Sequence, residues 1–132
     1  MGDRLKFLLD TCTFIWLTCD PLKIGEEAQG ALNRDYHSRY LSQVSIWEIV
    51  MKHSARKLVL PETPRKWIEE QLRIHEIEVL NPLSEDLYRS GELPLIHRDP
   101  YDRVIAAQSL GVSIPILTPD NIYREYGCKV MW

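Results

Sequence analysis

The chain has 132 residues, of which 45% are hydrophobic and 27% are charged, and its formal net charge is -3 at pH 7. This length suits one domain with a core of ordinary size, and this composition is typical of a folded globular protein, which excludes a disordered chain. The charge excludes a broad basic surface, so any binding of nucleic acid must depend on local charge or on a metal ion.

The chain contains three cysteines, Cys12, Cys19 and Cys128, and no two of them form a CxxC pair. An odd number without that spacing indicates neither a zinc knuckle nor a disulfide framework, and it favours reduced thiols. The apolar run near the N-terminus is short and follows charged residues, so it predicts neither a signal peptide nor a membrane span. We therefore expect a cytoplasmic protein.

Short apolar runs alternate with amphipathic segments along the whole chain, and these patterns predict strands and helices respectively. In chain order the predicted elements are a strand over 5–9, a helix over 11–17, a helix over 25–36, a strand over 39–44, a helix capped by Ser45, a helix over 65–75, a strand over 76–80, a helix over 84–93 capped by Ser84, a helix over 100–110 stopped by Gly111, a strand over 113–117, a short helical turn over 121–126 and a strand over 128–132. The alternation predicts a single α/β domain over residues 1–132, with a mostly parallel sheet flanked by helices.

The segment from His97 to Ala107 places two acids and two arginines at the start of a helix. Asp99 before Pro100 predicts an N-cap followed by proline at the first helical position. Asp102 then falls near the third helical position, where an acid completes a capping box and favours the helix dipole. Capping explains both acids when this segment is considered alone, so a functional interpretation depends on the other acids of the chain.

Three further acids occupy comparable places. Asp10 and Asp120 each follow a predicted strand, and Glu48 lies in the first turns of a helix among apolar residues. In a parallel sheet, strand C-termini and the N-termini of the following helices lie on one edge, so all three can share a cleft with Asp102. A structural alternative stays open for each, since Asp10 can act only as a helix cap and Glu48 can point to solvent.

Carboxylates that share a cleft repel one another and raise each other's pKa unless a cation neutralises them. A set of oxygen ligands without Cys or His suits Mg²⁺ or Mn²⁺ rather than zinc. Two such ions about 3.5–4 Å apart can activate a water and stabilise the leaving oxygen in phosphodiester cleavage. The residues therefore predict a metal site that contains the following acids: Asp10, Glu48, Asp102 and Asp120.

A basic run over residues 52–57 follows Glu48 at the end of its helix. Positive charge suits a helix C-terminus, and the functional alternative is an edge that contacts phosphates. The candidates for phosphate contact are Lys52, Arg56, Arg98 and Arg103.

Four segments carry a family resemblance, and they occur in a characteristic order and spacing. They are Leu8-Leu9-Asp10-Thr11, Ser45-Ile46-Trp47-Glu48-Ile49, His97-Arg98-Asp99-Pro100-Tyr101-Asp102-Arg103 and Leu117-Thr118-Pro119-Asp120. Together they resemble the PIN domain, and specifically a VapC-type toxin of a bacterial type II toxin–antitoxin system. The third segment is the most specific, and the resemblance covers nearly the whole chain. It implies a Rossmann-like α/β fold.

The resemblance also implies an activity, a cofactor and partners. The activity is that of an endoribonuclease that uses Mg²⁺ or Mn²⁺ and leaves a 5′-phosphate and a 3′-hydroxyl. The implied metal ligands are the four acids Asp10, Glu48, Asp102 and Asp120. Asp99 would be an accessory acid or a cap, and Thr11 and Thr118 would orient the carboxylates. The implied partners are an RNA substrate, an inhibitory VapB-like antitoxin and a second copy of the chain, with no membrane involved.

Two positions depart from the family pattern. Cys12 stands where close relatives often have histidine, and Tyr101 stands where phenylalanine is more usual. Cys12 raises the hypothesis that thiol oxidation inhibits the protein. Two alternative functions were considered. Cys12 argues against a phosphatase of the haloacid dehalogenase type with Asp10 as nucleophile, because Cys12 occupies the place of the second aspartate which that family requires. A non-enzymatic alternative is a PIN module that only binds RNA or a protein partner.

Overall fold

The computed structural model describes residues 4–96 and 99–132. The strands are β1 (Lys6–Leu9), β2 (Ser38–Ser42), β3 (Ile77–Leu80), β4 (Ile116–Leu117) and β5 (Val130–Met131). The helices are α1 (Thr11–Cys19), α2 (Glu26–Leu32), α3 (Gln43–Ser54), α4 (Pro64–Ile74), α5 (Ser84–Glu92), α6 (Pro100–Val112) and α7 (Ile122–Glu125), with a 3-10 turn at Pro21–Lys23. Within the described ranges, no helix combines the length and the apolar character needed to cross a membrane.

The described strands form one parallel sheet in the order β3-β2-β1-β4-β5, which confirms the predicted α/β class. The chain moves outward from β1 through β2 to β3, and then returns to the other side of β1 to build β4 and β5. The order therefore reverses between β1 and β4. In open α/β sheets this reversal leaves a crevice at the carboxyl ends of the two strands, which is where ligands bind.

The hydrophobic core lies on both faces of the sheet. On one face Phe7 and Leu9 pack in a buried cluster with Phe14 and Trp67. On the opposite face Leu8 belongs to a second cluster. Because successive side chains of a strand point to opposite faces, a strand covered on both sides must be apolar throughout, and this explains the continuous run in β1.

The N-cap of helix α3 lies three residues before the predicted cap. Ser42 is the N-cap, and its Oγ accepts a hydrogen bond from the Val44 amide at 3.0 Å. Ser45, the predicted cap, lies fully buried inside the helix. The prediction was wrong here because Ser42 also ends β2, so the strand passes directly into the helix without a loop.

The boundaries of α5 and α6 also differ from prediction. Leu83, rather than Ser84, precedes α5, and the Asp86 carboxylate accepts a hydrogen bond from its amide at 2.8 Å. Gly111 does not stop α6, which continues to Val112 and ends at Ser113, a residue in the left-handed conformation with φ 56°. A Cβ on Gly111 would lie 2.8 Å from Asp86 Oδ1, so this glycine allows α5 and α6 to pack closely.

Strands β4 and β5 are shorter than the predicted strands over 113–117 and 128–132. The predicted β4 segment begins at Ser113, which is instead the C-cap of α6. Pro115 then has no amide proton to donate to a neighbouring strand, although its carbonyl accepts from the Leu8 amide at 2.9 Å. Helix α2 likewise ends at Leu32 rather than continuing to residue 36.

We predict that Ser42→Ala lowers the free energy of unfolding by about 2 kcal/mol, because it removes the cap of α3 and leaves a buried acceptor unpaired. The Ser42 hydroxyl donates to Oε1 of Gln108, whose side chain is 1% exposed. Urea unfolding followed by circular dichroism measures the change. Ser54→Ala, at the exposed end of α3, is the matched control and should change stability by less than about 0.5 kcal/mol. Equal effects of the two variants would contradict the assignment.

Candidate active site

The candidate site lies at the carboxyl edge of the sheet, where the strand order reverses. Asp10 follows β1 directly and is the N-cap of α1, and its Oδ1 accepts from the Thr11 amide at 2.8 Å. Thr118 follows β4 in the same way, and its hydroxyl donates to Oδ2 of Asp10 at 2.8 Å. The two strands that flank the reversal therefore contribute an acid and the donor that orients it.

The Asp10 carboxylate is buried and held by several donors. Its residue is 6% exposed. Besides the two bonds above, the Tyr123 hydroxyl lies 3.1 Å from Oδ1 and the Cys12 thiol lies 3.5 Å from Oδ2. Burial raises the pKa of Asp10, and the hydrogen bonds from Thr118, Thr11 and Tyr123 oppose that rise. The result is a carboxylate fixed in one orientation at a desolvated position.

Asp102 lies in the first turn of α6, close to Asp10. The hydroxyl of Tyr123 is 3.0 Å from Oδ1 of Asp102 and 3.1 Å from Oδ1 of Asp10, so a single oxygen links the two acids. Burial, together with the neighbouring charges of Asp99 and Asp10, raises the pKa of Asp102 to about 7. Within residues 4–96 and 99–132, neither acid forms an ion pair. Two acids at this distance in a desolvated site favour the binding of a cation.

Glu48 projects into the same region from α3 and is 4% exposed. The Thr11 hydroxyl donates to its Oε1 at 2.7 Å, and Ser45 Oγ lies 2.8 Å from the same hydroxyl. Its Oε2 forms an ion pair with Lys52, one helical turn later. Burial lowers the pKa of Lys52, but the hydrogen bond and charge of Glu48 outweigh that effect and leave it raised. Glu48 therefore does not point to solvent.

The remaining two acids are more accessible. Asp99 caps α6, and its Oδ1 accepts from the amides of Tyr101 and Asp102 at 2.9 and 3.3 Å, as predicted. Asp120 is exposed after β4, and its Oδ1 accepts from the Ile122 amide at 3.0 Å. Both acids thus make a capping or turn-forming contact, and both lie in the same cleft as Asp10 and Asp102.

All five acids line one cleft of about 470 Å³. Its acidic residues are Asp10, Glu48, Asp99, Asp102 and Asp120, and its basic residues are Lys52 and Lys57. In residues 4–96 and 99–132, however, no group of three Asp, Glu, His or Cys side chains is arranged to hold a metal ion. Mg²⁺ is usually bound through one or two carboxylates and keeps several of its waters. The linked pair Asp10 and Asp102 fits that requirement, and the oxygen-only chemistry of the cleft suits Mg²⁺ or Mn²⁺.

The structure separates the basic residues that the sequence grouped together. Lys52 lines the cleft, as does Lys57, which the sequence analysis did not single out. Arg56 is exposed with a left-handed backbone (φ 58°) and is not part of the cleft lining. Arg98 lies outside the described residues. Lys52 and Lys57 are therefore the described cations nearest to the acids.

Arg103, a predicted phosphate contact, is buried and binds backbone carbonyls. It is 9% exposed, and its guanidinium donates to the carbonyls of Ser90, Leu93 and Pro94 at 3.0, 2.8 and 2.9 Å. These carbonyls belong to the end of α5 and the segment behind it, where helix termini leave acceptors unpaired. Arg103 thus fixes the chain that leads towards Asp99.

Cys12 contacts the site through its thiol, but its environment opposes oxidation. Burial raises the pKa of this thiol, and the adjacent charge of Asp10 raises it further. The thiolate is the reactive form of cysteine, so a thiol that stays protonated at neutral pH reacts slowly with oxidants. The inhibition by oxidation considered above therefore receives no support from this geometry.

Tyr123 is the main site residue that sequence analysis missed. The one sequence feature that could have indicated its role is a tyrosine three residues after Asp120. The short turn over 121–126 was expected, yet nothing in its pattern indicates which way the ring points. The ring is fully buried and reaches back under the site from α7.

The comparisons with known proteins agree with this architecture. The family profile described as "PIN domain" matches residues 7–128, which is nearly the whole chain. The chain belongs to the PIN-domain family. This confirms the resemblance drawn from the sequence motifs. Because PIN domains are generally nucleases that use divalent metals, membership supports a hydrolase that acts on nucleic acid.

Solved structures of toxin–antitoxin proteins share the fold. VapBC2 from Rickettsia felis, bound to a DNA fragment from their promoter, matches with a TM-score of 0.68 and 11% identity, covering 96% of this chain and 97% of that one. VapBC-1 from nontypeable Haemophilus influenzae gives 0.64 and 14%, covering 96% of both chains. A toxin–antitoxin complex from Klebsiella pneumoniae gives 0.56 and 17%, covering 86% of both. Comparison with curated protein sequences found no match.

The raised pKa of Asp102 predicts how the metal-free protein responds to pH. Between the ordinary pKa of 3.8 and about 7, the folded protein keeps a proton that the unfolded chain releases. The free energy of unfolding should therefore fall as the pH rises through this range. Urea unfolding in EDTA at about pH 5, within this range, and at about pH 8, above it, measures the loss.

Asp102→Asn is the control for this prediction, since asparagine keeps the shape of the side chain and does not titrate. The variant should lose less stability than the wild type between the two pH values. The same loss in both proteins would show that Asp102 does not have the raised pKa.

Proposed function

We propose that this PIN domain is a metal-dependent endoribonuclease, the toxin of a VapBC-type pair, with Mg²⁺ or Mn²⁺ as cofactor. The observation that carries the proposal is the pair of carboxylates, Asp10 and Asp102, joined through one hydroxyl in a desolvated cleft at the sheet reversal. Such a pair is costly without a cation, and a divalent ion would offset the cost. The family match supplies the class of reaction.

The residues divide into ligands and supporting groups. Asp10 and Asp102 would hold the ion directly, and Glu48 and Asp120 would complete its surroundings directly or through water. When bound, the ion would activate a water and stabilise the leaving oxygen of the phosphodiester. Asp99 keeps the start of α6, and with it Asp102, in place by capping the helix.

The chain itself performs the positioning steps. Thr118 holds Asp10 by its hydroxyl, and Thr11 holds Glu48 in the same way. Because a hydroxyl orients a carboxylate without adding charge, these residues support the ligands and leave the cleft anionic. Lys52 and Lys57 supply the positive charge at the cleft wall that phosphates on either side of the scissile bond need.

The nuclease proposal predicts that Asp10→Asn and Asp102→Asn each lower the rate of RNA cleavage by at least about 100-fold, because each removes a charged ligand. Purified protein is incubated with a pool of cellular RNA in Mg²⁺, in Mn²⁺ or in EDTA, and the fragments are resolved on a gel. A single-stranded DNA pool run beside it tests the preference for RNA. Circular dichroism confirms that the variants are folded.

Asp20→Asn is the matched control, because Asp20 is a surface acid paired with Lys23 away from the cleft. It should cleave like the wild type. Cleavage that persists in EDTA, or in both site variants, would refute the metal site. Intact RNA in every lane, with Mn²⁺ bound to the wild type, would favour a PIN module that only binds RNA or a protein.

The partners belong to the same proposal. The structures that share the fold are complexes of toxin–antitoxin pairs, and this supports a VapB-like antitoxin for the present chain. A second copy of the chain is the other proposed partner. Helix α5 and the residue that precedes it present large apolar side chains to solvent, and exposed patches of this kind mark interaction surfaces. They are Leu83 (66% exposed), Leu87 (51%) and Tyr88 (65%).

We predict that the isolated chain has twice its monomer mass of 15.5 kDa in light scattering, and that Leu87→Lys reduces it to one monomer. A charge buried in an apolar interface is strongly unfavourable, which is the reason for the change. Leu22→Lys, on a different surface and 91% exposed, is the control and should leave the mass unchanged. A monomeric wild type would remove the proposal of a homodimer. Copurification with a coexpressed VapB-like antitoxin tests the other partner separately.

A further inference from the structure

Tyr123 occupies an unusual place for a core aromatic. Its ring is fully buried and belongs to the cluster that includes Leu8, Ile105 and Ile116. Its hydroxyl leaves that cluster and lies between Oδ1 of Asp10 at 3.1 Å and Oδ1 of Asp102 at 3.0 Å. Packing alone requires only the ring, and burying a hydroxyl is unfavourable unless it is hydrogen-bonded. The position of the hydroxyl therefore calls for an explanation beyond packing.

The two acids depend on Tyr123 to different degrees. Asp10 has three other donors, namely the Thr11 amide, the Thr118 hydroxyl and the Cys12 thiol. For the Asp102 carboxylate, Tyr123 is the one side-chain donor found in the described part of the chain. Asp102 is also a first-turn residue of α6, a helix separate from β1 and α1. A phenol has one proton, so it donates to one carboxylate at a time. Its oxygen nevertheless lies within hydrogen-bond distance of both acids and so connects Asp102 to Asp10, which has three other donors.

The connection also joins three parts of the fold. Tyr123 belongs to α7, which follows β4, whereas Asp10 follows β1 and Asp102 begins α6. Because the ring is fixed in the core, its oxygen is a rigid reference point for both carboxylates. A phenol carries no positive charge at neutral pH, and burial raises the pKa of Tyr123 well above its usual value. It therefore orients the acids without occupying the place of a cation.

We propose that Tyr123 is a positioning residue of the metal site, whose hydroxyl fixes Asp102 relative to Asp10 so that both carboxylates serve one divalent ion. This inference rests on the proposed function and extends it to a residue outside the four acids. Asp10 and Asp102 are the ligands, and Tyr123 acts through them. Loss of a group that orients a ligand typically weakens metal binding by 10–100-fold, and this is the size of effect we expect.

The experiment compares Tyr123→Phe with Tyr126→Phe. Both variants keep a buried ring and remove one hydroxyl from neighbouring positions, but the Tyr126 hydroxyl contacts Arg103 at 3.5 Å. Full-length protein is stripped with EDTA and titrated with Mn²⁺, and the electron paramagnetic resonance signal of free Mn²⁺ gives the dissociation constant. Thermal unfolding of each metal-free variant measures stability separately from binding.

We expect Tyr123→Phe to raise the Mn²⁺ dissociation constant by about 10–100-fold, with Tyr126→Phe close to the wild type. Cleavage by Tyr123→Phe should approach the wild-type rate once Mn²⁺ is saturating, since the ligands are still present. Unchanged Mn²⁺ affinity in Tyr123→Phe, or an equal loss in both variants, would overturn the positioning role and leave the proposed nuclease intact. A wild type that binds no Mn²⁺ would overturn both.

Discussion

The site depends on one physical constraint, which is the burial of the Asp10 carboxylate at the carboxyl edge of a parallel sheet. A buried charge must be hydrogen-bonded or neutralised, and the fold meets the first requirement from two directions. The Thr11 amide comes from the start of α1, and the Thr118 hydroxyl comes from the end of β4. β1 and β4 are neighbours only because the strand order reverses there. The orientation of Asp10 therefore depends on the topology of the sheet.

The second requirement, neutralisation, is met only in part by the described residues. Lys52 pairs with Glu48, so one acid of the cleft has a positive partner. For Asp102, the hydrogen bond from Tyr123 lowers the pKa less than burial and the surrounding carboxylates raise it. A divalent ion between Asp10 and Asp102 would remove this imbalance. The cost that the folded chain bears at this cleft is therefore a physical reason for a metal partner, independent of family membership.

Sequence patterns predicted the elements of the fold better than their ends. The continuous apolar run in β1 is a consequence of burial on both faces of the sheet. The order of strands and helices followed from the alternation of such runs with amphipathic segments. Helix ends depended on contacts that no local pattern reports. Gly111 was predicted to end the helix. Its actual role is to leave room for Asp86 of α5, which a Cβ at this position would contact too closely. Ser45 had the character of a cap, yet it lies buried beside Thr11.

The same difference between sequence pattern and tertiary contact explains which features of the site were predicted. Acids at strand ends and helix starts could be placed in one cleft from the sequence, because parallel topology brings such positions together whatever the other residues are. The direction of a side chain has no comparable rule. Arg103 stands one residue from Asp102 and turns away to the end of α5, whereas Tyr123, 21 residues further along, reaches Asp102. Topology therefore predicted which acids share the cleft. It did not predict which side chains hold those acids, since that depends on how each side chain packs.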